Sequence, residues 1–268
     1  DFIGSLFLSK KSRHHMVIHN FPRYPRFSLK SLYKRISINF YKLSLIRFPK
    51  RKICLMNEES IDNAIQQNIS IKKIILAGWG YDLKDKKIEK NFINDNEIKL
   101  LAFGIIRQDK RIDQLVNLFL SLDSSKIILN IIGRSLDIDI EHLKKEVSLS
   151  SSRTQINIED TFIEDDKVNS LIEANDIMVL SHSSSFESMS GPMLLAIENN
   201  KPILCFSSNT VAKLVKSTKS GIVVDMDKVN HKELFNEIEN LSKLKYDPNS
   251  LKRYQWKEIT KRLINFTD

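Results

Sequence analysis

With 268 residues, 41% of them hydrophobic and 28% charged, the chain has the make-up of an ordinary globular protein of one large or two modest domains. This excludes a disordered tail, a collagen-like fibre and a small disulfide scaffold, and no apolar run approaches the roughly 20 residues of a membrane-spanning helix. The formal net charge of +9 is a property of one end: residues 1–52 carry 13 Lys and Arg against the single acid Asp1, and the remainder is net −3. Such a distribution argues against a protein that coats nucleic acid along its length.

In chain order, 16–18 reads as a strand. Residues 29–45 read as a helix with Leu29, Leu32, Tyr33, Ile36, Phe40 and Leu43 on its apolar side and Lys30, Lys34 and Lys42 opposite. A strand at 53–56, a helix at 59–67 and a strand at 73–76 follow, which is only part of an α/β domain. Gly78-Trp79-Gly80 is the candidate hinge. From residue 98 the pattern becomes regular, with short β-branched runs at 98–103, 127–132, 155–158, 177–180, 203–206 and 222–224. They are continuous rather than alternating, as strands buried on both faces of a parallel sheet are. Helical periodicity fills the gaps: Ile112, Leu115, Val116, Phe119; Val168, Leu171, Ile172; Met193, Leu194, Ile197; Val211, Leu214, Val215. An open, doubly wound (Rossmann-like) α/β domain is expected, with ligands beyond the carboxyl ends of its strands. Helices at 231–241 and 250–265 close the chain. Cys54 and Cys205 lie in apolar strand-like runs and read as buried thiols of a reducing compartment. No Cys/His cluster has zinc-ligand spacing, so neither metal nor cofactor is expected.

Four segments carry a family resemblance. Residues 101–119, LAFGIIRQDKRIDQLVNLF, resemble the opening of the nucleotide-sugar domain of glycosyltransferase family 4, in which a strand ends at a Gly and basic residues precede an apolar helix. Arg107 and Lys110 take the basic places, and Arg111 stands where the family has Gly. Residues 168–206 resemble the family's donor-binding strand, loop, helix and strand, including a Lys-Pro before the last strand. Residues 254–264, YQWKEITKRLI, resemble its closing helix, and 16–22, MVIHNFP, an acceptor-domain strand followed by His-Asn. The resemblance implies a B-type, two-domain fold with the donor bound between domains: a partial acceptor-side domain at 1–78, a donor domain at 79–249 and a returning helix at 250–268. The short acceptor part and the start at Asp1 rather than Met lead to the expectation of an N-terminal truncation.

The resemblance also assigns roles. Charge builds on the leaving phosphate when a sugar–diphosphate bond breaks, and fixed cations beside that oxygen lower the barrier. Arg107 and Lys110, one turn apart at a helix start, are expected on the diphosphate, Glu187 on the donor sugar and His19 at the reacting region. The second glutamate of the family's Glu-x7-Glu pattern falls at Leu195, which implies a changed ribose contact. Ser190 and Gly191 open a helix whose free N–H groups suit a phosphate or sugar oxygen, Ser190 doubling as its N-cap. His182, Gly133 and Arg134 are further donor-side candidates. The Asp-x-Asp pairs Asp137/Asp139 and Asp225/Asp227 read as chance matches to a metal motif.

The function so implied is transfer of a hexose from a nucleotide sugar to a cell-surface glycan or polyprenyl-linked glycan acceptor, retaining and without a metal, in the cytoplasm. The basic, aromatic-rich segment 30–52 reads either as a contact with the inner membrane leaflet or as a core-packed helix with a wet basic face; nucleic acid is not an expected partner. The rival reading is a non-catalytic nucleotide-sugar-binding remnant.

Overall fold

A computed structural model of the chain describes residues 16–18, 29–49, 51–55, 58–76, 97–184, 186, 190–206, 210–244 and 255–265. The chain divides into two compact units, one of residues 1–80 and 253–268 and the other of 81–252.

In the first unit, β1 (Met16–Ile18), β2 (Ile53–Leu55) and β3 (Ile74–Leu76) form a parallel sheet in that order. Between the strands run α1 (Leu29–Arg47) and α2 (Glu58–Gln66). Ile18, Ile38, Leu45, Ile53, Leu55, Ala64, Ile69 and Ile74 make its core. The stripe expected to face inward on α1 does not: Ile36, Phe40 and Leu43 are 44%, 41% and 52% exposed, and Ile38 and Leu45, two turns apart, are buried instead. The helix rotation is set at its end. Phe48 is buried under the Arg51 guanidinium, 4.1 Å from its ring centre, and Arg51 donates to the Ser44 hydroxyl on the buried face. The closing helix, α9 (Trp256–Asn265), also belongs to this unit.

The second unit has six strands: β4 (Ile98–Phe103), β5 (Ile127–Ile132), β6 (Gln155–Glu159), β7 (Ile177–Leu180), β8 (Ile203–Cys205) and β9 (Gly221–Val223). All neighbours are parallel, and the order is β6-β5-β4-β7-β8-β9. Chain direction across the sheet therefore reverses between β4 and β7, the topological switch point where doubly wound sheets bind ligands. The connecting helices are α3 (Ile112–Leu122), α4 (Ile140–Leu149), α5 (Asp165–Glu173), α6 (Gly191–Glu198), α7 (Thr210–Thr218) and α8 (His231–Ser242). Helix α3 buries Ile112, Leu115, Val116 and Phe119, each contributing about 2 kcal/mol, and Phe119 meets Phe206 edge-on.

Helix α4 is absent from the sequence expectation. Asp139, there half of a chance metal motif, is its N-cap and accepts from the His142 N–H. The family's Lys-Pro also gains a structural reason: Lys201 reaches back to the carbonyls of Glu173 and Asn175, satisfying the end of α5. Strand β9 starts at Gly221, one residue before the expected run, where only a glycine fits; a Cβ would sit 1.9 Å from the Ile203 carbonyl oxygen. Both cysteines are buried thiols outside any disulfide, and burial pushes the Cys54 thiol up to about 11. No helix among the described residues is long and apolar enough to cross a membrane.

Candidate functional site

The loops leaving β4 and β7 meet at the switch point. Strand β4 ends at Gly104, φ +93°, a left-handed conformation costly for any residue with a Cβ. A Cβ there would lie 3.4 Å from Lys110 Nζ and 3.5 Å from Pro192 at the start of α6, so the ammonium and the helix start flank one point. Gly133, closing β5, is equally constrained by proximity: its Cβ would fall 2.1 Å from the Gly104 carbonyl oxygen.

After Gly104 the chain is laced to its neighbour loop. The Ile106 N–H donates to the Arg134 carbonyl at 2.9 Å, and the Gln108 N–H donates to Asp137 at 2.9 Å. A short 3-10 turn, Gln108–Lys110, then leads through Arg111 (φ 50°, ψ 40°) into α3. Lys110 thus ends this turn and Arg107 stands at its N-cap position, so neither lies in the first turn of the helix as expected. The family's glycine at position 111 is explained by the left-handed backbone; arginine pays about 1 kcal/mol to stand there. Across the switch point, Ser181 Oγ donates to the Lys110 carbonyl at 2.5 Å and the Ser183 N–H to the Asp109 carbonyl at 2.7 Å. These two bonds hold the β7 loop on the turn that carries the cations.

Lys110 Nζ donates to the Phe103 carbonyl at 3.0 Å. Burial first, then the neighbouring Arg107, lowers its pKa to about 8, while Asp109 pulls the other way. Arg107 is turned onto Asp109 at 2.9 Å. His182 is 3% exposed, stacks on Phe186 at 4.2 Å, and is driven down to about 3 by burial, then by Lys110 and Arg107. It is therefore a neutral imidazole at any physiological pH. Between Gly104, Lys110, Ser181, His182 and Pro192 remains a cavity of about 10 Å³, room for about one water.

Ser190 occupies the N-cap position of α6, but its side chain makes no capping bond, contrary to expectation. Its hydroxyl is buried without a partner. At Gly191 a Cβ would meet nothing within 4 Å, so the helix start faces open space. Among the described residues of this unit, six buried side-chain polar atoms lack a hydrogen bond. Four of them belong to Arg107, Asp109, His182 and Ser190, on the two loops of the switch point. Native interiors leave few such atoms unpaired, so this concentration makes the two loops the candidate site.

The structure therefore brings Arg107, Lys110, Gly133, His182, Ser190 and Gly191 to one end of the sheet. Arg134 contributes its carbonyl, its side chain being exposed. Leu195 lies half-buried a turn further along α6. His19 and Glu187 lie outside the described residues. Sequence reasoning missed Asp109 and Ser181, whose roles are visible only once the two loops meet. It also missed Ile105, Leu136 and Phe162, which are 51%, 64% and 66% exposed beyond the carboxyl ends of β4, β5 and β6. No group of three His, Cys, Asp or Glu among the described residues could hold a metal ion. Asp137 holds the Gln108 N–H, Asp139 caps α4, Asp225 pairs with Lys228 and Asp227 with Arg111.

A parallel sheet of this order, with its chain reversal between β4 and β7, defines a doubly wound, Rossmann-like α/β domain. The chain belongs to the family Glycosyl transferases group 1, whose model matches residues 84–261. Its fold is of the GT-B type and is shared by solved glycosyltransferase structures. One is HepE of Anabaena, solved with UDP: TM-score 0.69, 14% identity, 94% of this chain and 71% of that one covered. A second is WaaB, a lipopolysaccharide outer core galactosyltransferase: TM-score 0.68, 14% identity, 99% and 78% covered. A third is a mutant of TarM from S. aureus, in complex with UDP among other ligands: TM-score 0.66, 14% identity, with 95% of this chain covering half of that one. At such identities the likeness is one of fold. No curated protein matches the chain by sequence.

Proposed function

We propose that the chain is a glycosyltransferase of the family 4 type, moving a hexose from a uridine diphosphate sugar to a cell-surface glycan, retaining the anomeric configuration and needing no metal. Residues 79–249 are its donor domain, 1–78 its acceptor-side part and 250–268 a returning helix. The observation that carries this reading is the group of unpaired polar atoms of Arg107, Asp109, His182 and Ser190 on the two loops of the switch point, one of which carries Lys110. A diphosphate accepts from Lys110, the Ser190 hydroxyl and the free N–H groups of α6, and those donors stabilise the charge that grows as the sugar leaves. The exposed Leu136 and Phe162 offer the nucleobase an apolar surface. His19 and Glu187 retain the roles the family resemblance gives them, at the reacting region and on the donor sugar. HepE, solved with UDP and with UDP-glucose, and WaaB, named a galactosyltransferase, support the choice of donor class.

The exposed Ile36, Phe40, Leu43 and Ile46 of α1, in a strongly basic segment, favour the membrane-surface reading of residues 30–52. Leu195, in place of a ribose-binding glutamate, favours the second reading, a nucleotide-sugar binder without turnover.

The test is calorimetric titration with UDP, GDP and ADP in EDTA, followed by an assay of UDP release from UDP-hexoses with a lipopolysaccharide acceptor. Selective UDP binding, and product with the donor's anomeric configuration by NMR, is expected. UDP binding with neither transfer nor donor hydrolysis selects the second reading, and no nucleotide binding at all refutes both.

A further inference from the structure

Next to the donor crevice, and sharing His182 with it, lies a cleft of about 530 Å³ beyond the carboxyl ends of β7, β8 and β9. Its apolar floor includes Phe206, Val223 and Met226; its polar lining is Arg111, Lys213 and Lys216 against Asp225 and Asp227. Asp225 is engaged by Lys228 at 3.1 Å, so the balance facing the cleft is positive.

Arg111 is the unusual member. Its backbone is left-handed, a conformation glycine adopts freely, yet this chain places there the largest cation available. Its side chain is only 20% exposed and donates to Gln114 and, at 2.6 Å, to Asp227, whose own side chain is 72% exposed. A guanidinium fixed at the edge of a cavity is thus covered by a carboxylate that sits mostly in water. A planar fork of donors suits a carboxylate bidentately, and an exposed ion pair is worth little to stability. Asp227 is therefore easily exchanged for a ligand carboxylate. Lys213 and Lys216, one turn apart on α7, also line the cleft and add positive charge. Inside, the His182 ring presents an Nδ1 with no partner.

We infer that this cleft receives the sugar of the donor, and that the sugar is an acidic one, a hexuronic acid whose carboxylate displaces Asp227 from Arg111 and lies between it and Lys213 and Lys216. The inference rests on the donor reading above, because the cleft adjoins the Lys110 crevice through the shared His182. Arg111 is then the specificity-determining residue, separating acidic from neutral hexoses without touching the nucleotide.

Calorimetry on the whole chain with UDP, UDP-glucose and UDP-glucuronate at one fixed ionic strength tests it. The wild type is expected to bind UDP-glucuronate at least tenfold more tightly than UDP-glucose. Arg111→Gly, which suits the left-handed backbone, is expected to bring that ratio close to one while leaving UDP affinity within twofold. The Lys213→Ala/Lys216→Ala variant, altered on an exposed helix face, is expected to lower the ratio several-fold. A wild-type ratio of one or below overturns the inference, as does a preference that survives both variants; in either case intact UDP binding leaves the donor reading standing. Failure to bind UDP at all overturns both.

Discussion

Lys110 is where stability and the proposed function are set against each other most directly. Its pKa is lowered from 10.5 to about 8, chiefly by burial, which means that folding disfavours its proton. That difference of 2.5 corresponds to about 3 kcal/mol at about 1.36 kcal/mol per unit. The side chain is only half-buried, so solvent relaxes much of this, and the bond to the Phe103 carbonyl returns about 1 kcal/mol. Lys110→Met is therefore expected to stabilise the unliganded protein by about 1 kcal/mol at pH 7, raising Tm by about 2–4 °C. The sign follows from linkage. The group's folded-state pKa is the lower one, so its cost is complete below pH 8 and fades as the pH climbs from 8 towards 10.5. The advantage of the variant should fade over the same range. The same substitution removes a cation from the diphosphate and is expected to weaken UDP binding by about 1–3 kcal/mol. Urea unfolding at pH 7 and pH 10, paired with UDP calorimetry, measures both. If the variant is less stable by the same amount at both pH values, or binds UDP as well as the wild type, the electrostatic account of the crevice is wrong.

Gly133→Ala, with its Cβ 2.1 Å from the Gly104 carbonyl, is expected to cost about 2 kcal/mol or more and to disturb the β4–β5 loops. Gly191→Ala has open space in front of it; stability should be unchanged or slightly raised while UDP binding falls, because the new methyl occupies the approach to the α6 N–H groups. Denaturation and calorimetry on the two variants side by side separate backbone clash from ligand obstruction. His182 has its folded-state pKa lowered to about 3, so between pH 6.5 and 3 the unfolded chain takes a proton that the native imidazole refuses, and stability falls with falling pH. His182→Phe removes this slope. The stability difference between variant and wild type should move in the variant's favour by up to about 2 kcal/mol from pH 7 to pH 5.

Much of the second unit was legible because a buried parallel strand leaves a compositional trace. The apolar runs at 98–103, 127–132 and 177–180 become β4, β5 and β7 without adjustment. Helix α4 escaped because its buried residues, Ile140 and Leu143, are few and its N-cap lies in a stretch that also spells a metal motif. On α1 the error was one of rotation. The helix carries apolar residues on more than one side, and what orients it, Arg51 reaching Ser44 over Phe48, is a tertiary contact with no local signature. The carboxamide ladder in which Asn157 donates to Asn130 and Asn130 to Asn175 is invisible in the same way. It needs β5 and β6 in register before those side chains can meet.

For the site, the sequence located residues but not their relations. Arg107 and Lys110 were identified as cations, yet what distinguishes them is their surroundings. Arg107 is already held by Asp109 in an ion pair, whereas Lys110 bonds a carbonyl, feels Asp109 only at a distance and is left with a lowered proton affinity. Two residues that look equivalent in the string therefore differ in availability, and the ammonium is the one without an ion pair among the described residues. Ser190 reverses in the same manner. A serine before a helix is ordinarily its cap, and only the structure shows that this buried hydroxyl makes no such bond. Arg111 completes the case: as a letter it is a departure from a family glycine, but in the left-handed backbone the departure carries a cost of its own, which the cleft beside it gives a reason to bear.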